Sequence, residues 1–329
     1  MSEKISIIGG AGFLGTRLAH RLEKSSLEYK IFDLNKPAKG PYEFCDIEDC
    51  ELLNALKGSD IIINLAAIHR DDVLPVSRYD DVNVQGSINV CNVARKHNIN
   101  TIIFTSSVAI YGFAPENTGE DGDANFFNNY GRTKYLAEQV YKKWQSEDPK
   151  NRKLVILRPT VIFGEGNRGN VYNLLNQIAS KRFIMFGKGK NIKSMAYVEN
   201  VAAFIEYCLA IKPGCHIFNY IDKPDFDMNS LIIFVRKVLF RKSNIGIRLP
   251  SFLGLFVGYL ADFVSKIFNK KFPISKIRIE KFLGTTQFSS SISQTTKFVP
   301  PVKLEEGLNR TLNYEFLEDN SKEPTFDTE

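Results

Sequence analysis

No stretch of this chain is both uncharged and apolar for the eighteen or so residues that a membrane-crossing helix requires. The start, MSEKISIIGG, lacks the apolar core of a signal peptide and runs straight into a strand pattern. Histidine is scarce: His20, His69, His97 and His216 form no paired metal-binding spacing, so no metal site is expected. The cysteines, Cys45, Cys50, Cys91, Cys208 and Cys215, are odd in number and contain no C-x-x-C, which excludes a disulfide framework and fits free thiols in a reducing, cytoplasmic compartment. A net charge of +6 with no aromatic-basic motif argues against a nucleic-acid partner.

What remains is a 329-residue chain with 43% hydrophobic residues, enough for one large domain and a second lobe. Short apolar runs at Ile5–Ile8, Tyr29–Asp33, Ile61–Leu65, Thr101–Thr105 and Leu154–Leu157 alternate with helix-length segments, including Val82–His97 and Tyr130–Trp144. Continuous apolar strands between helices are buried on both faces, and right-handed crossovers make them an α/β fold with a Rossmann-type, doubly wound parallel sheet. After Pro159, glycine and asparagine punctuate the chain, and helices are expected at Val171–Ala179, Val198–Ala210 and Asn229–Phe240. We therefore assign 1–163 to a nucleotide-binding domain, to which 194–221 returns. Residues 164–193 and 222–314 form a smaller C-terminal substrate lobe, and 315–329 an acidic, mobile tail. From Lys223 to Lys281 there are 12 Lys/Arg against 4 Asp/Glu, and Leu249–Phe268 reads as an amphipathic helix, so this lobe is a candidate for contact with a membrane surface.

Gly9, Gly12 and Gly15 lie in a G-x-x-G-x-x-G turn between the first strand and the first helix. Such a turn lets backbone approach a pyrophosphate, and the helix N-terminus favours its charge. Asp33 ends the second strand, where a carboxylate accepts from adenosine ribose hydroxyls and repels a 2′-phosphate, favouring NAD over NADP. Asp46 is placed either to accept from the adenine amino group or to N-cap the helix that follows.

Tyr130 and Lys134 are four apart at the start of a helix and so share a face. A cation beside a phenol lowers its pKa towards useful acid–base chemistry. Thr105-Ser106-Ser107 ends the fifth strand at the edge where such sheets bind ligands, and Ser107 is the residue expected to bond the reacting oxygen.

Taken in order, Gly9–Gly15, Asp33, Asn64-Leu65-Ala66-Ala67, Asn83-Val84-Gln85-Gly86, Ser106–Gly112, Tyr130–Lys134, Leu157–Gly164 and Phe298–Leu308 resemble the extended short-chain dehydrogenase/reductase family, in its UDP-galactose 4-epimerase-like branch. The resemblance implies a catalytic set of Ser107, Tyr130 and Lys134. It implies NAD contacts at Gly9, Gly12, Phe13, Leu14, Gly15, Asp33, Asp46, Ile47, Leu65, Ala66, Ala67, Asn83, Thr105, Tyr130, Lys134 and Pro159. Ser107, Asn170 and Lys193 are implied for the sugar nucleotide, and a homodimer through the helices around Asn83–Arg95 and Tyr130–Trp144. Two departures stand out. Val108 and Ala109 replace the Asp-Glu pair of the sugar 4,6-dehydratases, and Lys193-Ser194 stands where many epimerases carry Arg-Asp.

The expected activity is therefore an NAD-dependent epimerase of a nucleotide-diphosphate sugar at C4, through a transient 4-keto sugar, in polysaccharide biosynthesis. An NAD(P)H-dependent 4-keto-sugar reductase, or action on a lipid-diphosphate-linked sugar, uses the same residues. A non-catalytic NAD-binding regulator is the remaining alternative.

Overall fold

Four strands rich in isoleucine and other aliphatic residues lie side by side at the centre of the protein: β1 (Lys4–Ile8), β4 (Ile61–Asn64), β5 (Thr101–Thr105) and β6 (Lys153–Pro159). The structure, a computed structural model, describes residues 3–70, 72–256, 259 and 282–327. Outside the central four, β2 (Glu28–Asp33) and β3 (Tyr42–Phe44) extend the sheet beyond β1, and β10 (Gly214–Tyr220) extends it beyond β6. The order is β10-β6-β5-β4-β1-β2-β3, and every pairing is parallel. This is the Rossmann arrangement, and its topological switch lies between β1 and β4.

Both faces of this sheet are covered, which is why its strands alternate so little. Helix α1 (Phe13–Lys24) and helix α6 (Val198–Cys208) pack on one face, where Ile7, Leu18, Leu22, Ile63, Val201 and Phe204 are buried together. The other face is covered by α3 (Gly86–Lys96) and α4 (Asn129–Ser146), with Ile62, Val90, Ile102, Tyr141 and Trp144 in its core. Each such side chain contributes roughly 1.5–3 kcal/mol by leaving water.

The helix expected from Val82 begins earlier. A short α2 (Ser77–Tyr79) runs through a wide π-helical turn, Asp80–Gln85, into α3. Strand β3, absent from the sequence reading, is three residues long and leaves Phe44 exposed at the sheet edge.

A second sheet stands over the carboxyl ends of the first. It joins β7 (Val161–Phe163), β9 (Ile192–Tyr197) and β11 (Asp222–Asp227) in the order β11-β9-β7, and β8 (Met185–Phe186) pairs separately with β12 (Arg248–Leu249). Helices α5 (Asn170–Ala179), α7 (Met228–Phe240), α8 (Ile292–Thr295) and α9 (Leu304–Phe316) complete the fold. Leu175, Tyr197, Leu231 and Leu308 share a third core with Phe13 at the tip of α1, so the two sheets are joined by apolar packing. Most of Leu249–Phe268, the segment expected to form an amphipathic helix, lies outside the described residues, as does Asp71. The stretch expected to be a mobile tail begins inside α9, and Phe326 is hydrogen-bonded to Gly166 and Arg168.

Candidate active site

The loops after β1, β2, β4, β5 and β6 open onto one cleft of about 1140 Å³. Gly9, Gly12, Phe13, Leu14, Gly15, Asp33, Asp46, Ile47, Leu65, Ala66, Ala67, Thr105, Ser107, Tyr130, Lys134, Pro159 and Asn170 all line it. Two residues named with them do not. The Asn83 side chain is spent within the protein: it accepts from Ile68 N at 2.9 Å, and donates to the Ile68 carbonyl and to Thr133 Oγ1, each at 2.9 Å. It thus ties the π-turn to α4 rather than touching the cleft. The Lys193 ammonium donates to the Gly284 carbonyl at 2.6 Å, and burial pushes its pKa down to about 8.

A dinucleotide fits the turn after β1. Gly12 caps α1 with no side chain, and a Cβ there would make ordinary contact with the Gly9 carbonyl at 3.4 Å and otherwise border the space of the cleft that Gly12 lines. The first-turn N–H groups of α1 have no partner within the helix and border that space, the arrangement that holds a diphosphate. Asp33 is fixed beside it, accepting from Ala11 N and Asn35 N, each at 2.9 Å. Asp46 lines the cleft and accepts from Glu48 N at 2.9 Å in a local turn, but it does not cap the helix that follows, a 3-10 turn over Leu52–Leu56 whose N-cap is Glu51. Substituting Asp33 with serine removes the charge that disfavours a 2′-phosphate. The expected result is a shift in the NAD-to-NADP affinity ratio of about tenfold or more towards NADP, read by titration of both cofactors. An unchanged ratio would show that Asp33 does not set the choice.

The reactive corner is built by two local structures. Asn128 caps α4, its Oδ1 accepting from Gly131 N at 2.8 Å. Gly131 in turn allows close approach, since a Cβ there would lie 2.4 Å from the Ala109 carbonyl. The first turn of α4 is thereby pressed onto the 3-10 turn Val108–Tyr111 that follows Ser107, and Tyr130 is hydrogen-bonded to the Ser107 side chain. Ser107 Oγ also accepts from Ala109 N at 3.1 Å. Ser106, the other candidate, donates to Glu138 Oε1 at 2.6 Å in a fully buried contact.

Burial pushes the Tyr130 phenol up to about 12, and the bond with Ser107 pulls the other way. One turn on, Lys134 is 2% exposed, with its ammonium 4.4 Å from the centre of the Phe104 ring. Burial pushes Lys134 down to about 7, opposed by the charge of Glu138. A lysine that titrates near neutrality can supply positive charge to a neighbouring phenolate, and the phenol can then exchange a proton with a hydroxyl held by Ser107.

Glu138 belongs to a buried network that no motif announces. Arg158 donates to both its oxygens, at 2.8 and 2.6 Å, and to Tyr111 Oη at 2.6 Å. Tyr111 continues to Asn219 Oδ1 at 2.8 Å. The signal available was spacing: Tyr130, Lys134 and Glu138 are four apart, and Arg158 lies in the Leu-Arg-Pro run ending β6. Among the described residues no group of three metal-ligating side chains comes together.

The model of the NAD dependent epimerase/dehydratase family matches residues 5–219. The chain is 45% identical, over all of its length and all of the relative's, to N-acetyl-alpha-D-glucosaminyl-diphospho-ditrans,octacis-undecaprenol 4-epimerase of Escherichia coli O157:H7. It is 26% identical to UDP-glucose 4-epimerase of Vibrio cholerae, covering 98% of each chain. The solved structure of UDP-glucose 4-epimerase from Thermotoga maritima with UDP-glucose shares the fold. Its TM-score is 0.73 at 19% identity, with 94% of this chain and 98% of that one covered.

Proposed function

The chain belongs to the NAD-dependent epimerase/dehydratase family, and from that premise we propose that it inverts C4 of an N-acetylhexosamine carried on polyprenyl diphosphate. The observation that carries this substrate class is full-length 45% identity to a relative whose name specifies it. A surface feature supports it. Ile247, Phe252, Phe256 and Tyr259 are each more than half exposed, and Arg241, Lys242 and Arg248 lie beside them in sequence. A nucleotide sugar diffusing in water needs no such face, whereas a lipid-linked substrate brings its enzyme to an anionic bilayer. Among the described residues no helix is long and apolar enough to cross a membrane. The reading is therefore of surface contact, on the reducing, cytoplasmic side that five free thiols fit, in polysaccharide biosynthesis.

In this reading Ser107 holds the C4 hydroxyl, Tyr130 accepts its proton, and the Lys134 ammonium stabilises the phenolate. NAD held by the glycine turn and Asp33 would supply the hydride acceptor, and then the donor, for C4. The resulting 4-keto sugar turns within the cleft to present its other face, and Tyr130 then returns the proton to the carbonyl oxygen as it is reduced. Phe13, Leu14 and the glycine turn bind the cofactor diphosphate, and Asp33 its adenosine ribose. A homodimer through α3 and α4 completes the proposal.

Purified protein, given N-acetylglucosaminyl-diphospho-polyprenol without added cofactor, should yield the galacto epimer on hydrolysis and sugar chromatography. UDP-N-acetylglucosamine should be converted at least about 100-fold less efficiently, since it lacks the lipid contact. Equal or better turnover of the nucleotide sugar would return the assignment to a soluble substrate. Net cofactor oxidation with a keto sugar would make the enzyme a reductase.

A further inference from the structure

Beyond α9 the chain turns back onto the cleft. Phe326 donates its N–H to the Gly166 carbonyl at 2.9 Å, and its own carbonyl accepts from Arg168 N at 2.8 Å. Its ring centre lies 5.7 Å from that of Phe13, tilted by 51°. Phe13 opens α1, the helix whose first turn forms the diphosphate cradle. Thr325, Phe326 and Asp327 line the same cleft as Gly12 and Asp33.

The loop that receives Phe326 is itself anchored. Glu315 in α9 accepts from Gly166 N at 2.7 Å and from Arg168 at 2.8 Å, and its side chain is only 3% exposed. Arg17 in α1 donates to the Glu165 carbonyl at 2.9 Å, and the Tyr197 hydroxyl donates to the Glu165 carboxylate at the same distance. The tail thus bridges α9 and α1 across the end of the cleft where a cofactor diphosphate belongs.

We propose that residues 324–327 form a strap over the diphosphate end of the cofactor cradle, with Phe326 as the clasp that keeps NAD bound between half-reactions. The proposal rests on NAD use and is independent of which sugar is the substrate. Its chemistry is steric and apolar. Asp327 is exposed, and its negative charge opposes a diphosphate, so the ring and the two backbone hydrogen bonds carry the closure. Cofactor release then requires local opening of this segment, and the frequency of that opening limits exchange. An epimerase benefits directly, because the cofactor that oxidises C4 must still be present to reduce the 4-keto sugar.

The test is the rate at which NAD leaves the full-length protein, followed by displacement with a fluorescent etheno-NAD analogue. Phe326→Ala, and a chain lacking residues 324–329, should release NAD at least about tenfold faster than the native protein. Phe326→Tyr should remain within about twofold of it, and the melting profiles at saturating NAD should coincide. Equal release rates for all four proteins overturn the proposal. So does a raised KM for the sugar substrate with NAD release unchanged, which would make the segment a substrate element.

Discussion

Replacing Tyr130 with phenylalanine should lower kcat by about 10³-fold or more while leaving NAD bound. Positioned proton transfer contributes typically 10²–10⁴-fold, and this substitution removes only the hydroxyl proposed to perform it. The ring remains to fill its place on the first turn of α4, so the fold and the cofactor cradle are untouched. Near-full cofactor content with lost turnover is the diagnostic pair. A variant keeping more than about a tenth of native kcat would show that another group moves the proton. Lys134→Met sharpens the test by its pH dependence. Burial already holds the phenol at about 12 in the native protein, and the substitution removes the cation proposed to bring it down. Ionisation then becomes harder at neutral pH, and residual activity should climb with pH across the whole measurable alkaline range. In the native enzyme Lys134, lowered to about 7, gains its charge as pH falls through neutrality. The cationic form that stabilises phenolate is therefore favoured on the acidic side, while phenol ionisation is favoured on the alkaline side. A bell-shaped profile should result.

Glu138→Ala should cost about 3–5 kcal/mol of folding stability, the range for removing one member of a buried ion pair. The carboxylate is fully buried and Arg158 is 4% exposed, so deletion strands a guanidinium where water does not reach. Urea unfolding at saturating cofactor measures the loss. The double variant Glu138→Leu with Arg158→Met should recover much of it, because neither charge is then left alone. Full recovery of stability with kcat still depressed would separate a second role for Glu138, its charge acting on Lys134 one turn away. A single variant as stable as the native protein would mean that Arg158 finds full compensation from Tyr111 and the Glu120 carbonyl, its other acceptors.

The parallel sheet was legible because burial on both faces forces continuous apolar runs: every residue of Ile61–Asn64 is buried. The glycine turn and the Tyr130–Lys134 pair, which line one cleft, were legible as positions because local spacing sets each of them. What escaped depends on contacts distant in sequence. Strand β3 carries no pattern because it is an exposed three-residue edge, held through its pairing with β2. Asn83 falls in a recognisable motif, but its side chain is consumed by Ile68 and Thr133, the latter 50 residues away. Lys193 reads as a phosphate ligand until Gly284, 91 residues on, takes its ammonium. Phe326, near the end of an acidic stretch, gives no local hint that its partner is Phe13.

The path of the chain between the two sheets limits how the protein can be rebuilt. After β6 in the large sheet the chain enters the small one at β7 and β9, returns through α6 and β10, and leaves again at β11. No single cut separates the large sheet from the small one. A recipient scaffold could not acquire the small sheet by grafting one contiguous cassette. At least two stretches, one with β7 and β9 and one with β11, would have to move together. Substrate choice in such an architecture is more readily altered by point changes along the cleft than by recombination of blocks.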